Sequence, residues 1–174
     1  MQKGWQDIVE GIGSGGDREN EAFCAGRSPD SRDPAKLASG RAGSQVTADG
    51  EPVVVLLIED DRNVRETTRI ILEDSGYKVV MAENASDGLE TFDRLQQKIG
   101  LVVSDVVMPG MGVREFCQKL RAIRPEVKIL LVSGYGENII AERGLGDTAG
   151  IRFLCKPYTI DQILGVIDGW LAEP

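Results

Sequence analysis

The chain predicts a doubly wound α/β fold: a five-stranded parallel sheet in the order 2-1-3-4-5 with five helices, preceded by a disordered tail. Three observations predict it. From Glu51 onward, short apolar runs alternate strictly with amphipathic stretches, and each parallel connection needs such a crossover. The run Val53-Ile58, and Lys128-Val132 after its leading lysine, read as continuously apolar central strands, whereas Lys78-Ala82 and Arg152-Cys155 begin with charge and read as edges. Finally, the acidic run Glu59-Asp60-Asp61, then Asp105, Ser133 and Lys156 each sit where an apolar run gives way to a polar turn. In a parallel sheet those positions share one edge, where open α/β folds place their sites.

In chain order, the first strand, Val53-Ile58, is closed by three acids, of which Asp61 suits the cap of a helix over about 62–75. Lys78-Ala82 and a helix over about 86–97 follow, then the strand Leu101-Ser104, after which Pro109 and Gly110 force the chain to turn. A helix over 113–123, the strand Lys128-Ser133 and a helix over about 137–144 come next. The strand Arg152-Cys155 precedes a last helix over 159–171. That helix opens on Thr159-Ile160-Asp161-Gln162, a capping-box pattern, with Ile163, Leu164 and Ile167 on one face.

Residues 1–51 hold nine of the 21 glycines and almost no sustained periodicity, so they read as a disordered tail before a domain over 52–174. Trp5, Ile8, Val9 and Ile12 fall at helical spacing before Gly13-Ser14-Gly15-Gly16 stops them. A helix that short is marginal alone, so the segment reads as a solvated tail, with a motif that folds on a partner as the alternative.

The bulk numbers exclude several classes. A formal charge of −8 without a basic cluster argues against broad attraction to nucleic acid. Histidine is absent, which removes a Ser-His-Asp or Cys-His pair, an imidazole base and any phosphohistidine within this chain. Cys24, Cys117 and Cys155 are an odd count without metal-like spacing and are expected to be unpaired thiols. The longest apolar run, Val53 to Ile58, is too short for a membrane span or a secretory signal core, so the expected address is cytoplasmic.

The four strand ends carry the chemistry. Glu59, Asp60 and Asp105 in one crevice repel one another unless protons or a cation sit between them, and a hard divalent ion such as Mg²⁺ meets that need while inviting a phosphate oxygen. Lys156 can neutralise phosphoryl oxygens as a point charge, and Ser133 can hydrogen-bond one. Each residue also has a plainer reading: Asp105 capping a turn, Asp61 capping a helix, Ser133 ending a strand, Lys156 snorkelling. Taken jointly, the plainer readings are the weaker account.

Val55-Leu56-Leu57-Ile58-Glu59-Asp60-Asp61 with Asn63-Val64-Arg65, Ser104-Asp105-Val106-Val107-Met108-Pro109-Gly110-Met111, Val132-Ser133-Gly134-Tyr135 and Phe153-Leu154-Cys155-Lys156-Pro157 together resemble the receiver domain of two-component response regulators. The resemblance covers about residues 52–172 and is closest in style to receivers of hybrid histidine kinases. The family's flavodoxin-like fold has the 2-1-3-4-5 order, so the predicted topology coincides with it.

The resemblance implies that Asp105 accepts a phosphoryl group from a sensor histidine kinase or a histidine phosphotransfer protein. It assigns Mg²⁺ to Asp60, Asp105 and the main-chain carbonyl of Val107, with Glu59 acting through water. Ser133 and Lys156 then hold phosphoryl oxygens, and Phe153 takes the switch-aromatic position. Such a protein is a signalling phosphoacceptor with limited chemistry of its own rather than an enzyme.

Two features depart from or refine the pattern. Met111-Gly112-Val113 stands where the family usually has Met-Asp-Gly, which predicts an altered helix start. Val107 and Tyr135 occupy positions that modulate attack by water, and an apolar and a bulky residue there predict a long-lived phosphoryl group. Because the chain stops at Pro174, directly after the fifth helix, the expectation is a single-domain receiver. It is expected to signal by conformational change or pass the phosphate along a relay, without contacting nucleic acid or membrane. A protein target or a second copy would meet the face of the fourth helix, fifth strand and fifth helix, including Phe153 and Tyr158. Two alternatives stay open: an adaptor that never becomes phosphorylated, and an aspartate-nucleophile phosphatase. The latter wants a carboxylate where Val107 stands.

Overall fold

Among the residues that the computed structural model describes, 50–95, 98–134 and 150–173, the alternation becomes a parallel α/β sheet. The elements are β1 (Val54–Ile58), α1 (Arg62–Asp74), β2 (Lys78–Ala82), α2 (Ala85–Leu95), β3 (Ile99–Asp105), α3 (Val113–Ile123), β4 (Lys128–Ser133), β5 (Ile151–Cys155) and α4 (Ile160–Leu171). The strand order is β2-β1-β3-β4-β5, with every pair parallel. The expected helix over 137–144, Tyr135 and the segment Trp5–Ile12 lie outside the described residues.

β3 begins at Ile99, two residues before the expected start. Ile99 is 1% exposed and pairs with Val54, while Gly100 offers no side chain to continue an apolar pattern, sits beside Val53 and faces the register shift between Val54 and Val55. β5 likewise starts one residue early, at buried Ile151.

The predicted caps hold. Asp61 Oδ1 accepts from the amides of Asn63 (2.8 Å) and Val64 (3.0 Å), which satisfies orphan donors of α1. Thr159 and Gln162 form the full capping box at the start of α4. The unusual Gly112 is the N-cap of α3 and offers no side-chain bond.

Alternate strand residues face opposite layers, as the pleat requires. Leu56 and Ile58 of β1 pack with Phe92 of α2 and with Phe116 and Leu120 of α3. Val55 and Leu57 pack instead with Leu72 of α1 and with Ile163, Ile167 and Trp170 of α4. Burial of each large apolar side chain contributes about 1.5–3 kcal/mol, so two dry layers hold the sheet and thereby its carboxyl edge in place.

Candidate functional site

Sheet register brings the four strand ends to one edge. Ile58 lies opposite Ser104, Asp105 opposite Val132, and Ser133 opposite Cys155, so β1, β3, β4 and β5 finish within two residues of one another. Backbone bonds extend the ladder past the strands: Val106 N donates to Val132 O (2.9 Å) and Lys156 N to Ser133 O (2.7 Å). Residues drawn from positions 59 to 156 thereby become neighbours.

Carboxylate oxygens of Glu59, Asp60 and Asp105 lie within 4.8 Å of one another. Glu59 is buried, Asp105 half-buried and Asp60 exposed, so the cluster opens to solvent at one side. Lys156 Nζ donates to Asp105 Oδ2 at 2.6 Å and to Glu59 Oε2 at 3.1 Å, tying the two less exposed members. Asp105 Oδ1 accepts the Val107 amide at 2.8 Å, and Glu59 Oε1 accepts the Asp61 amide at 3.3 Å.

These contacts set the electrostatics. Burial raises the Glu59 carboxyl above its ordinary value, and the Lys156 ammonium only partly offsets this. For Lys156, burial alone would depress the ammonium, but the bonds to Asp105 and Glu59 outweigh it and the pKa is raised. One ammonium against three carboxylates leaves a net negative cradle of hard oxygens. That donor set fits a small divalent cation such as Mg²⁺ better than a soft metal.

Ser133, 4% exposed, ends β4 beside Lys156. Phe153 is half-buried, lies opposite Leu131 and packs on the α2/α3 layer, whereas Tyr158 packs on the α1/α4 layer. Val107 stands 45% exposed at the rim. The Lys156-Pro157 peptide is cis.

Cys117 is a free, buried thiol, as expected. Cys155 is disulfide-bonded, which corrects the expectation that it is unpaired: an odd count excludes complete pairing but still permits one bridge.

One residue at the site went unweighed in the sequence. Arg65 is 7% exposed, and its Nη1 donates to the carbonyls of Glu59 (2.5 Å) and Asp60 (3.3 Å) while Nη2 pairs with Glu83 Oε1 (3.0 Å). A charge on an amphipathic helix ordinarily reads as solvated, and the motif that contains Arg65 assigns it no role.

Comparison with known proteins gives the same picture. The family model for the response regulator receiver domain matches residues 55–168. The chain is 38% identical over 119 residues to the sensor kinase CckA of Brucella abortus (strain 2308), covering 68% of this chain and 12% of that protein. It is 35% identical over 126 residues to the response regulator Rre1 of Synechocystis sp. (strain ATCC 27184 / PCC 6803 / Kazusa), covering 71% of this chain and 53% of that one. The chain thus spans about half or less of the length of these curated relatives. Among solved structures, a CheY-like response regulator receiver domain protein from Methanospirillum hungatei JF-1 is 28% identical, with a TM-score of 0.61 over 68% of this chain and 93% of that one. With its sheet order, its acidic strand ends and a family match over most of its length, the chain belongs to the response regulator receiver domain family.

Proposed function

We propose that residues 52–174 act as a receiver that takes a phosphoryl group onto Asp105 from a phosphohistidine on a sensor histidine kinase or a histidine phosphotransfer protein. The observation that carries this reading is the cluster itself: three carboxylates within 4.8 Å, with the Lys156 ammonium 2.6 Å from Asp105. A solvated turn would have no reason to gather them.

In this reading an Asp105 carboxylate oxygen attacks the phosphorus, the phosphorus–nitrogen bond to the donor imidazole breaks, and the leaving imidazole is protonated as the aspartyl phosphate forms. The Val107 amide holds one Asp105 oxygen and so orients the other. Lys156, already bonded to Asp105, neutralises charge on the transferred group, and the Ser133 hydroxyl binds a second phosphoryl oxygen. Glu59, Asp60, Asp105 and the Val107 carbonyl would hold Mg²⁺, which supplies charge neutralisation in a reaction dominated by positioning and electrostatics. Phe153 then responds to movement of Ser133.

The signal leaves through the face that includes Phe153 and Tyr158, to a protein target, to a second copy or along a phosphorelay rather than to nucleic acid. Among the described residues no helix is long and apolar enough to cross a membrane. Exposed, apolar Val107 sits where attacking water would approach, so the phosphoryl group is long-lived.

Intact mass after incubation with Mg²⁺ and acetyl phosphate tests the reading. One phosphoryl adduct is expected, absent without Mg²⁺ and in Asp105→Ala. If neither acetyl phosphate nor a phosphohistidine protein gives an adduct, the reading fails and a phosphorylation-independent adaptor takes its place.

A further inference from the structure

We propose that Arg65 is a positioning residue for the metal-binding carboxylates, an inference that rests on the cation reading above. Its guanidinium is nearly enclosed and spans two adjacent peptide units, donating to the carbonyls of Glu59 at 2.5 Å and Asp60 at 3.3 Å. These are the peptide units that carry the acidic side chains into the crevice. Holding both carbonyls fixes the planes on either side of Asp60, and with them the directions in which the Glu59 and Asp60 side chains leave the backbone.

The rest of the loop is anchored as well. The Glu59 amide continues the sheet by donating to Ala82 O at 3.3 Å, and the Arg65 amide donates to Asp61 O at 2.9 Å in the first turn of α1. Glu83, one residue beyond Ala82, pairs with Arg65 Nη2 at 3.0 Å, so the guanidinium also ties the end of β2 to the acidic loop. Lysine at this position keeps the charge but presents a single ammonium, which cannot reproduce a planar fork bonded to two carbonyls and a carboxylate.

A loop that must keep two carboxylates aimed at one cation loses affinity when its backbone is freed, because ordering it then falls to the metal. The expected loss is about tenfold in the Mg²⁺ dissociation constant for Arg65→Gln, since the charge-assisted hydrogen bonds to the loop are lost and water recovers only part of them. Arg65→Lys should fall between that variant and the natural protein.

The test is calorimetric titration of Mg²⁺ into the metal-free protein, Arg65→Lys, Arg65→Gln and Glu83→Gln, with thermal melts of each in chelator. A second readout is acetyl phosphate labelling against Mg²⁺ concentration. The half-saturating Mg²⁺ should rise in the Arg65 variants while the rate at saturating Mg²⁺ stays within about twofold, because no reacting atom is removed. A fall in melting temperature with Mg²⁺ affinity unchanged in Arg65→Lys and Glu83→Gln shows a purely structural role and overturns the proposal. Those two variants keep it falsifiable if Arg65→Gln does not fold. Absence of Mg²⁺ binding by the natural protein would instead overturn the cation reading itself.

Discussion

Lys156→Met tests whether the crevice is a strained cluster of like charges held by an ammonium. Methionine keeps most of the aliphatic stem and its packing but deletes the group that bonds Asp105 at 2.6 Å and Glu59 at 3.1 Å. Deleting it forfeits its attraction to those two carboxylates, roughly 5–6 kcal/mol each at an effective dielectric of about 20, against the desolvation cost of half-burying the ammonium. Solvent reaches Asp60 and part of Lys156, whose side chain is 29% exposed, so the measured loss should be nearer 2 kcal/mol. For a folded unit of this size that corresponds to a fall of roughly 6–10 °C in melting temperature, read in chelator at low salt.

Mg²⁺ should then reverse the deficit. A ligand at a hundred times its dissociation constant adds about 2.7 kcal/mol, and the cation meets no competing ammonium in the variant. The Mg²⁺-induced rise in melting temperature should therefore be larger in Lys156→Met than in the natural protein, even as phosphorylation falls.

The pH dependence has a defined sign. The raised Lys156 pKa means that its stabilisation is fully present below the ordinary lysine value and is lost as pH rises through the folded value. The raised Glu59 pKa favours its protonated form in the fold, so protonation of Glu59 relieves the variant as pH falls through that folded value, above 4.5. The deficit should be largest near neutral pH and shrink toward both extremes. An unchanged melting temperature in chelator, with the same Mg²⁺ increment as the natural protein, would refute the reasoning.

Two further predictions concern packing. Gly88→Ala, normally favourable inside a helix, should destabilise by about 1–3 kcal/mol in denaturant melts, because a Cβ there would meet Ile58 Cδ1 at 2.5 Å in a filled core. Burial pushes the Cys117 thiol up to about 11, so at pH 8 only roughly a thousandth is thiolate; residue-resolved alkylation should leave it unmodified until the chain unfolds.

Much of this protein is legible locally. Apolar runs broken by charge and proline identify the strands, Asp61 and Thr159 mark the helix starts, and the uninterrupted apolar run Val53-Ile58 marks a central strand. Glu59, Asp60, Asp105, Ser133 and Lys156 are visible because each stands at a strand end, and parallel topology alone brings strand ends together. The errors fall where a residue's role is not local. Gly100 concealed the start of β3, whose Ile99 belongs to the strand only through its pairing with Val54. Cys155 could not be assigned a bridge from an odd count of thiols.

Arg65 is the clearest case. Position on an amphipathic helix implies a solvated side chain, yet the fold closes over its guanidinium and turns it toward two carbonyls. Sequence determines which chemistry is carried and, through periodicity, which edge carries it. Tertiary structure decides which charges are buried and paired, because burial and partners depend on chain segments that approach only when the sheet is formed, as Glu83 does Arg65 and Lys156 does Glu59.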